Sequence, residues 1–273
     1  MSDRDGTAMV AKRGTAMLGW TIERLKWALV RRCLPDPVKA RHSEYSMLHS
    51  EDDALSRPSE YLLEVSHKAI EAALQTDLGD LAGRLKGRFP YPDDIANLWP
   101  GEHYRLLAGL VQVLSPKLVI EIGTAEGLSS LSMQKYLPDN GQIVSFDIVP
   151  WRQYPRSCLV EDDFRRGNLK QIVADLGQSD VFDNHREFLA DAGLIFIDAA
   201  KDGVLEQNLI RFFETVPFRS RPIFLFDDTR LWNMLSIWRD LRWPKLDLTS
   251  FGHWAGTGLC ERGLHVPGAV TTS

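Results

Sequence analysis

Residues 118–130 read Leu-Val-Ile-Glu-Ile-Gly-Thr-Ala-Glu-Gly-Leu-Ser-Ser, and this stretch decides the fold. The apolar run 118–122 predicts a buried strand that stops at Gly123, and the segment 128–136 predicts a helix. A buried strand, a tight turn of small residues and a helix start together allow a ligand to approach bare backbone. The sequence therefore predicts a ligand site at this turn.

The chemistry of the turn narrows the class of ligand. Small residues recur at Ala125 and Gly127, and the acid Glu121 lies inside the motif. A carboxylate beside the turn suits a ligand with positive charge better than a pyrophosphate. Strand–glycine–helix turns also occur in α/β proteins that bind no cofactor, so the turn alone leaves both interpretations open.

A second strand adds an acid at the expected spacing. The apolar run 142–146 ends in Asp147, about 20 residues after the glycines. An acid at the end of the second strand is placed to bond ribose hydroxyls. Taken alone, Asp147 could equally be a helix cap, but together with the turn it favours a nucleoside ligand.

Two further apolar runs also end in carboxylates. Residues 194–197 precede Asp198, and residues 222–226 precede Asp227 and Asp228. Continuous apolar runs fit strands of a parallel sheet, and ligands bind beyond the carboxyl ends of such strands. Three carboxylates brought to one rim repel one another unless a cation or protons intervene, and oxygen ligands favour Mg²⁺, Mn²⁺ or Ca²⁺. The alternative is that the aspartate pair only caps a loop or the following helix.

The ordered set of motifs resembles class I S-adenosylmethionine-dependent methyltransferases, and most of all the O-methyltransferases of the catechol, caffeoyl-CoA and macrocin types. The family pattern acid-x-Gly-x-x-x-Gly-x-Ser is matched by Glu121, Gly123, Gly127 and Ser129. The resemblance implies an α/β fold with a doubly wound, mostly parallel, seven-stranded Rossmann-like sheet. It also implies an antiparallel hairpin at the end of the chain.

The resemblance also implies how S-adenosyl-L-methionine would be bound. The turn backbone and Ser129 would hold the methionine part, Asp147 the ribose, and Asp175 would lie near the adenine. The full predicted set of cofactor-binding residues is Glu121, Gly123, Thr124, Ala125, Gly127, Ser129, Asp147, Asp175 and Asp198.

Metal-dependent members of the family carry an Asp after strand four and an Asp-Asn or Asp-Asp pair after strand five. Asp198, Asp227 and Asp228 match this pattern and would hold Mg²⁺, or Mn²⁺ or Ca²⁺. Asp228 in the second pair position is typical of the macrocin-like branch, which methylates sugar hydroxyls. Lys201, three residues after Asp198, is typical of the catechol branch.

The predicted reaction moves a methyl group from a sulfonium to a hydroxyl of a small-molecule or sugar/glycan acceptor. Donor and acceptor must be held close and in line, and a divalent cation lowers the pKa of a bound hydroxyl. Lys201 is a candidate base if burial and the metal depress its pKa, and otherwise pairs with Asp202 or Asp198. His253 is the second candidate, with a structural role as its alternative.

Pattern changes along the chain predict three parts. We expect a disordered tail over 1–15, a helical N-terminal extension over 16–94 and the methyltransferase domain over 95–273. Helical spacing in the extension is seen at 17–34, 61–74 and 78–88. By analogy, such prefixes form a lid or a homodimer surface.

The first of these helices is basic in an otherwise acidic chain. Between Val10 and Leu34 there are six Lys/Arg and one acid, with Trp20 and Trp27 among them. This composition fits peripheral contact with a membrane, and equally a helix packed on the domain or on a partner subunit. Charges in its middle argue against a transmembrane span or a signal peptide.

The end of the chain predicts two antiparallel strands. Residues 246–251 and 257–262 alternate in polarity, and the glycine-bearing stretch between them suggests a tight hairpin. His253 and Trp254 would lie at its tip and line the acceptor pocket, or serve a structural role.

Composition excludes some classes of function. The net charge of −5 argues against a nucleic-acid partner, which normally requires a basic face. Three scattered cysteines without a Cys/His cluster indicate neither zinc nor disulfides, and fit the reducing cytoplasm. The remaining alternatives are a metal-independent O- or N-methyltransferase, a non-catalytic nucleotide-binding module, and an NAD-type oxidoreductase. The last would prefer glycine where Ala125 stands.

Overall fold

The computed structural model, which describes residues 56–89 and 101–263, is built around a sheet in the order β3-β2-β1-β4-β5-β7-β6. Strands β1 to β5 are parallel, β7 runs antiparallel to β5, and β6 runs antiparallel to β7. The strands are β1 Leu118–Ile122, β2 Gln142–Asp147, β3 Leu169–Val173, β4 Leu194–Ile197, β5 Ile223–Asp227, β6 Lys245–Asp247 and β7 Thr257–Glu261. The predicted fold class is confirmed, including the antiparallel end of the sheet.

Helices cover both faces of the sheet, as the unbroken apolar strands require. One face packs against α6, α7 and α8 and the other against α1 and α3, in two separate apolar cores. The described helices are α1 Glu60–Gln75, α2 Gly79–Leu85, α3 His103–Leu114, α4 Leu128–Gln134, α5 Glu161–Arg165, α6 Ser179–Leu189, α7 Leu205–Glu214 and α8 Met234–Asp240.

Strand β1 lies at the centre of this arrangement. Ile120 pairs in register with Val144 of β2 and with Ile195 of β4, and all three side chains are buried. Successive residues point to opposite faces, so Ile120 joins one core and Val119 the other. Strands β2 and β3 lie on one side of β1, and β4 and β5 lie on the other. In such sheets a ligand crevice is expected where the strand order reverses in this way, between β1 and β4.

Helix α1 belongs to the same apolar core as the sheet. Leu62, Val65 and Ala69 are buried against α3 and pack in one cluster with Val119. Ser59 caps the helix start, because its hydroxyl accepts from the Leu62 amide at 3.1 Å. The core is thus continuous across the boundary predicted near residue 95, although the division of the chain itself stays a prediction.

The tail over 1–15 and the basic helix over 17–34 lie outside the described residues, so both stay predictions. Within 56–89 and 101–263, every helix is too short or too polar to cross a membrane.

The prediction of a tight C-terminal hairpin is wrong in one respect. Strand β6 ends at Asp247, and nine residues (248–256) separate it from β7. The chain leaves the strand because the Asp247 carboxylate accepts from the Thr249 amide at 2.8 Å, and Gly252 then donates to the Leu248 carbonyl. This long loop carries His253 inward, where it is buried, while Trp254 is exposed.

Candidate active site at the carboxyl ends of the strands

The glycine turn after β1 is packed tightly against the end of β4. Gly123 has φ +104°, and a Cβ atom at this position would lie 1.8 Å from the Asp198 carbonyl oxygen. Gly127, with φ +81°, immediately precedes α4, and a Cβ atom there would lie 2.3 Å from the Leu159 side chain. The backbone of the protein itself therefore demands both glycines.

Glu121 lies beneath the turn and is fully buried. Its two carboxylate oxygens accept hydrogen bonds from the hydroxyls of Ser129, at 2.5 Å, and Ser130. Burial raises the pKa of Glu121 to about 7, although the serine hydrogen bonds oppose the rise. In this structure Glu121 and Ser129 hold the start of α4 onto β1, and their predicted contact with a cofactor stays a prediction.

Asp147 at the end of β2 faces the same turn. One carboxylate oxygen accepts from the amides of Thr124, at 2.8 Å, and Ala125, at 3.1 Å. The other accepts from the Val149 amide at 2.9 Å and from the Tyr154 hydroxyl at 3.3 Å. Asp147 thus fixes the shape of the turn and still borders the open space beyond it.

A cavity of about 440 Å³ opens beyond the ends of β1 to β4. Gly123 and Asp147 form one side of it, and Asp175 lies on the opposite side beyond β3. The remaining walls are mostly apolar, from Ile122, Phe146, Ile148, Ala174, Leu176, Ala199, Val204 and Leu205. Three predicted cofactor residues therefore border one cavity, at the position where a doubly wound sheet binds its ligands.

The predicted metal ligands converge next to this cavity. Asp198, Asp227 and Asp228 each offer a carboxylate oxygen, and these oxygens lie within 4.8 Å of one another. The Lys201 ammonium contacts Asp198 and lies 3.0 Å from Asp228. The ammonium of Lys201, the candidate base, therefore balances part of the negative charge of the three carboxylates.

Electrostatics keep Lys201 charged in this arrangement. Burial lowers its pKa, but Asp198 and Asp228 more than offset this and raise the pKa above its ordinary value. Burial likewise raises the pKa of Asp228, with the Asp227 charge adding to it, to about 6. Lys201 can accept a proton only when another cation replaces it between the carboxylates.

His253 has both ring nitrogens engaged. Its Nε2 lies 2.5 Å from the Asp227 carboxylate, and its Nδ1 accepts from the Ala255 amide at 3.3 Å. With Nδ1 as acceptor, the proton of the neutral ring is on Nε2 and is donated to Asp227. Burial lowers the pKa of His253, but Asp227 more than compensates and the net shift is upward.

His103, in the first turn of α3, completes this cluster and was missed by the sequence reasoning. Its Nδ1 lies 3.7 Å from Asp227, and its ring meets that of His253 edge to face at 4.8 Å. Burial lowers the pKa of His103 to about 3, so the ring is neutral. No motif links it to the strand-end acids, because only tertiary packing brings α3 there.

Glu206 shapes the loop that carries Lys201 and was also missed. Its buried carboxylate accepts from the amides of Lys201, at 2.7 Å, and Gly203, at 3.3 Å. Lys201 and Asp228 both have φ in the left-handed region, at +54° and +56°. Such strain in residues other than glycine is characteristic of functional sites.

Comparisons with known proteins identify the family of the central part of the chain. The O-methyltransferase family model matches residues 98–233, from just before α3 to the loop after β5. This part of the chain belongs to the O-methyltransferase family. The match includes the glycine turn and the three aspartates of the rim, whereas His253 lies beyond it.

One curated relative with this family's activity in its name is "Probable caffeoyl-CoA O-methyltransferase 3" from Dictyostelium discoideum, 33% identical over 114 residues. The matched stretch is 38% of this chain and 42% of the relative, so the chain spans less than half of that protein.

Solved structures of methyltransferases are similar at low identity. The methyltransferase PaMTH1 of Podospora anserina, bound to S-adenosylhomocysteine, is 17% identical with a TM-score of 0.45, covering 80% of this chain and 98% of that one. The O-methyltransferase TomG of Streptomyces achromogenes, in complex with S-adenosylmethionine, is 16% identical with a TM-score of 0.42, covering 82% and 100%.

Proposed function

We propose that this protein transfers a methyl group from S-adenosylmethionine to a hydroxyl of a small-molecule or sugar/glycan acceptor, assisted by a divalent cation. The observation that carries the proposal is the adjacency of the cavity and the carboxylate rim. Asp198 belongs to the rim, and the next residue, Ala199, lines the cavity. A methyl donor in the cavity and an acceptor at the rim would therefore meet at the end of β4.

The cavity offers S-adenosylmethionine the contacts that its parts need. Asp147 and Asp175 would accept hydrogen bonds from the ribose and adenine, and the apolar walls would pack on the base. S-adenosylmethionine would supply the methyl group: the acceptor oxygen would bond to the methyl carbon in line with the breaking carbon–sulfur bond, and S-adenosylhomocysteine would leave. Gly123 lines the cavity, and its backbone can lie against the Asp198 carbonyl only because it has no side chain.

The rim carries the right donors for a hard cation. Asp198, Asp227 and Asp228 would hold it, with Mg²⁺, Mn²⁺ or Ca²⁺ preferred by an all-oxygen set. A divalent cation held there would lower the pKa of a bound hydroxyl. Lys201, displaced from the carboxylates, is then the residue within reach to take the proton. His253 orients Asp227 through its 2.5 Å hydrogen bond.

One observation favours a second candidate, a metal-independent O- or N-methyltransferase. The Lys201 ammonium already lies between Asp198 and Asp228 and neutralises part of their charge. In that case Lys201 or His253 would orient the acceptor directly, and activity would survive removal of divalent cations.

Two residues of the rim favour two different classes of acceptor. Asp228 favours a sugar hydroxyl, and Lys201 favours a catechol-like diol, as the family branches suggest. We further propose the cytoplasm as the setting, because the described cysteines, Cys158 and Cys260, are free thiols. The net charge of −5 supports a substrate other than nucleic acid.

The proposal is tested by methyl-transfer assays with labelled S-adenosylmethionine against a panel of catechols and sugars. We expect transfer to at least one acceptor, its loss in EDTA and its restoration by Mg²⁺. Asp198→Asn should lower turnover by roughly 100-fold or more, because the rim loses a ligand. Asp139→Asn, which changes an exposed acid in the turn before β2, is the matched control. Turnover that survives both EDTA and Asp198→Asn would instead establish the metal-independent candidate.

A further inference from the structure

We infer that His103, Asp227 and His253 form a transition-metal site, separate in its ligands from the all-carboxylate rim and sharing only Asp227 with it. All three residues are buried, and one potential ligand atom from each lies within 4.8 Å of the others. Two imidazoles and a carboxylate favour Zn²⁺, Co²⁺, Ni²⁺ or Fe²⁺ over Mg²⁺.

An unsatisfied ring nitrogen is the observation that points to a ligand. His103 is 3% exposed, and its Nδ1 has no hydrogen-bond partner among the described residues. A buried polar atom left unpaired is destabilising, so this nitrogen calls for a partner. This nitrogen lies 3.7 Å from the Asp227 carboxylate, too far for a hydrogen bond and close enough for both to reach one ion.

The three side chains come from separate elements that the fold holds firmly. His103 is in the first turn of α3 and lies against Phe196 and Tyr104. Asp227 ends β5, and His253 is on the loop between β6 and β7. Because these elements already hold the three side chains in place, binding of an ion would require little further ordering of the protein.

The distances require only small shifts to accept an ion. Two donors on one ion, each about 2.1 Å from it, lie roughly 3.0–3.4 Å apart. The observed His253–Asp227 distance is 2.5 Å and the His103–Asp227 distance is 3.7 Å, one slightly below that range and one slightly above it. An ion would replace the hydrogen bond from His253 and give His103 Nδ1 the partner that it lacks.

The test uses the full chain, stripped of metal with a chelator and titrated with Co²⁺ while visible absorption is recorded. We expect the absorption bands of an imidazole-bound ion to saturate at one Co²⁺ per chain, and this ion to be displaced by Zn²⁺ but not by equimolar Mg²⁺. His103→Leu should weaken Co²⁺ binding by more than about 100-fold, because a direct ligand is lost rather than an outer partner. Asp198→Asn, which alters the rim but not the triad, should bind Co²⁺ as the unmodified chain does.

Several results would overturn the inference: no Co²⁺ binding, unchanged binding in His103→Leu, or loss in Asp198→Asn alone. If His103→Leu does not fold, X-ray absorption at the zinc edge of the unmodified chain decides the question. Two imidazole ligands support the site, and an oxygen-only shell contradicts it. Binding of S-adenosylhomocysteine, measured in the same samples, tests the proposed function separately, since it requires the cavity and not the histidines.

Discussion

The Glu121 carboxyl titrates inside the apolar core, which gives the protein a pH dependence that a single substitution can isolate. Its pKa is about 7, compared with 4.5 for an ordinary glutamate. The stability that this group contributes is fully present below pH 4.5 and is lost as the pH rises through 7. The shift corresponds to about 3 kcal/mol.

Glu121→Gln should remove the pH-dependent contribution that the Glu121 carboxyl makes to stability. Between about pH 5 and pH 8, we expect the free energy of unfolding of the variant to gain roughly 2–3 kcal/mol relative to the unmodified chain. Denaturant titrations at the two pH values measure this difference. Glu71→Gln, on the exposed surface of α1, should show no such gain. A constant offset for Glu121→Gln at both pH values would contradict the assigned pKa.

At the scale of elements, Arg84 ties the N-terminal helices to the sheet domain. Its guanidinium donates two hydrogen bonds to Asp163 of α5, at 2.7 and 2.6 Å, and one to the Cys158 carbonyl at 3.1 Å. The Asp163 side chain is 6% exposed and the Arg84 side chain 34% exposed. Without Arg84, the buried Asp163 carboxylate would keep only its hydrogen bond from the Val160 amide, at 2.8 Å, and would lose its balancing charge.

Arg84→Ala should therefore lower the free energy of unfolding by about 2 kcal/mol, less than for a fully buried pair because solvent reaches Arg84. Arg165→Ala breaks the exposed pair of Arg165 with Asp162 and should cost less than about 0.5 kcal/mol. Chemical denaturation of the two variants provides the comparison. Equal losses would show that α2 does not depend on this contact.

At the scale of the whole molecule, the sequence predicts the features whose place in the fold is determined by a local pattern. The run of β1, apolar except for Glu121, predicts a strand of a parallel sheet, and parallel strands end at one edge of a sheet. That rule alone is enough to bring Asp198, Asp227 and Asp228 together, and the structure places them so.

Features set by packing between distant segments were not predictable in this way. His103 reaches Asp227 only because α3 packs across the sheet. The sequence predicts that Gly123 leaves space for a ligand, whereas in the structure a Cβ atom there would first meet the Asp198 carbonyl, just after β4. The end of β6 at Asp247 depends on a side-chain hydrogen bond to Thr249 that overrides the alternating pattern.

The central claim, a cofactor in the cavity at the carboxyl ends of the strands, is tested most directly by calorimetric titration of S-adenosylhomocysteine into three proteins. Ala174 lines the cavity, and Ala174→Phe would fill it, whereas Val173→Phe adds the same ring at an exposed neighbour. We expect one molecule to bind per chain in the unmodified protein and in Val173→Phe, and binding to be lost in Ala174→Phe. Absence of binding to the unmodified protein, or equal binding to Ala174→Phe, would contradict the account.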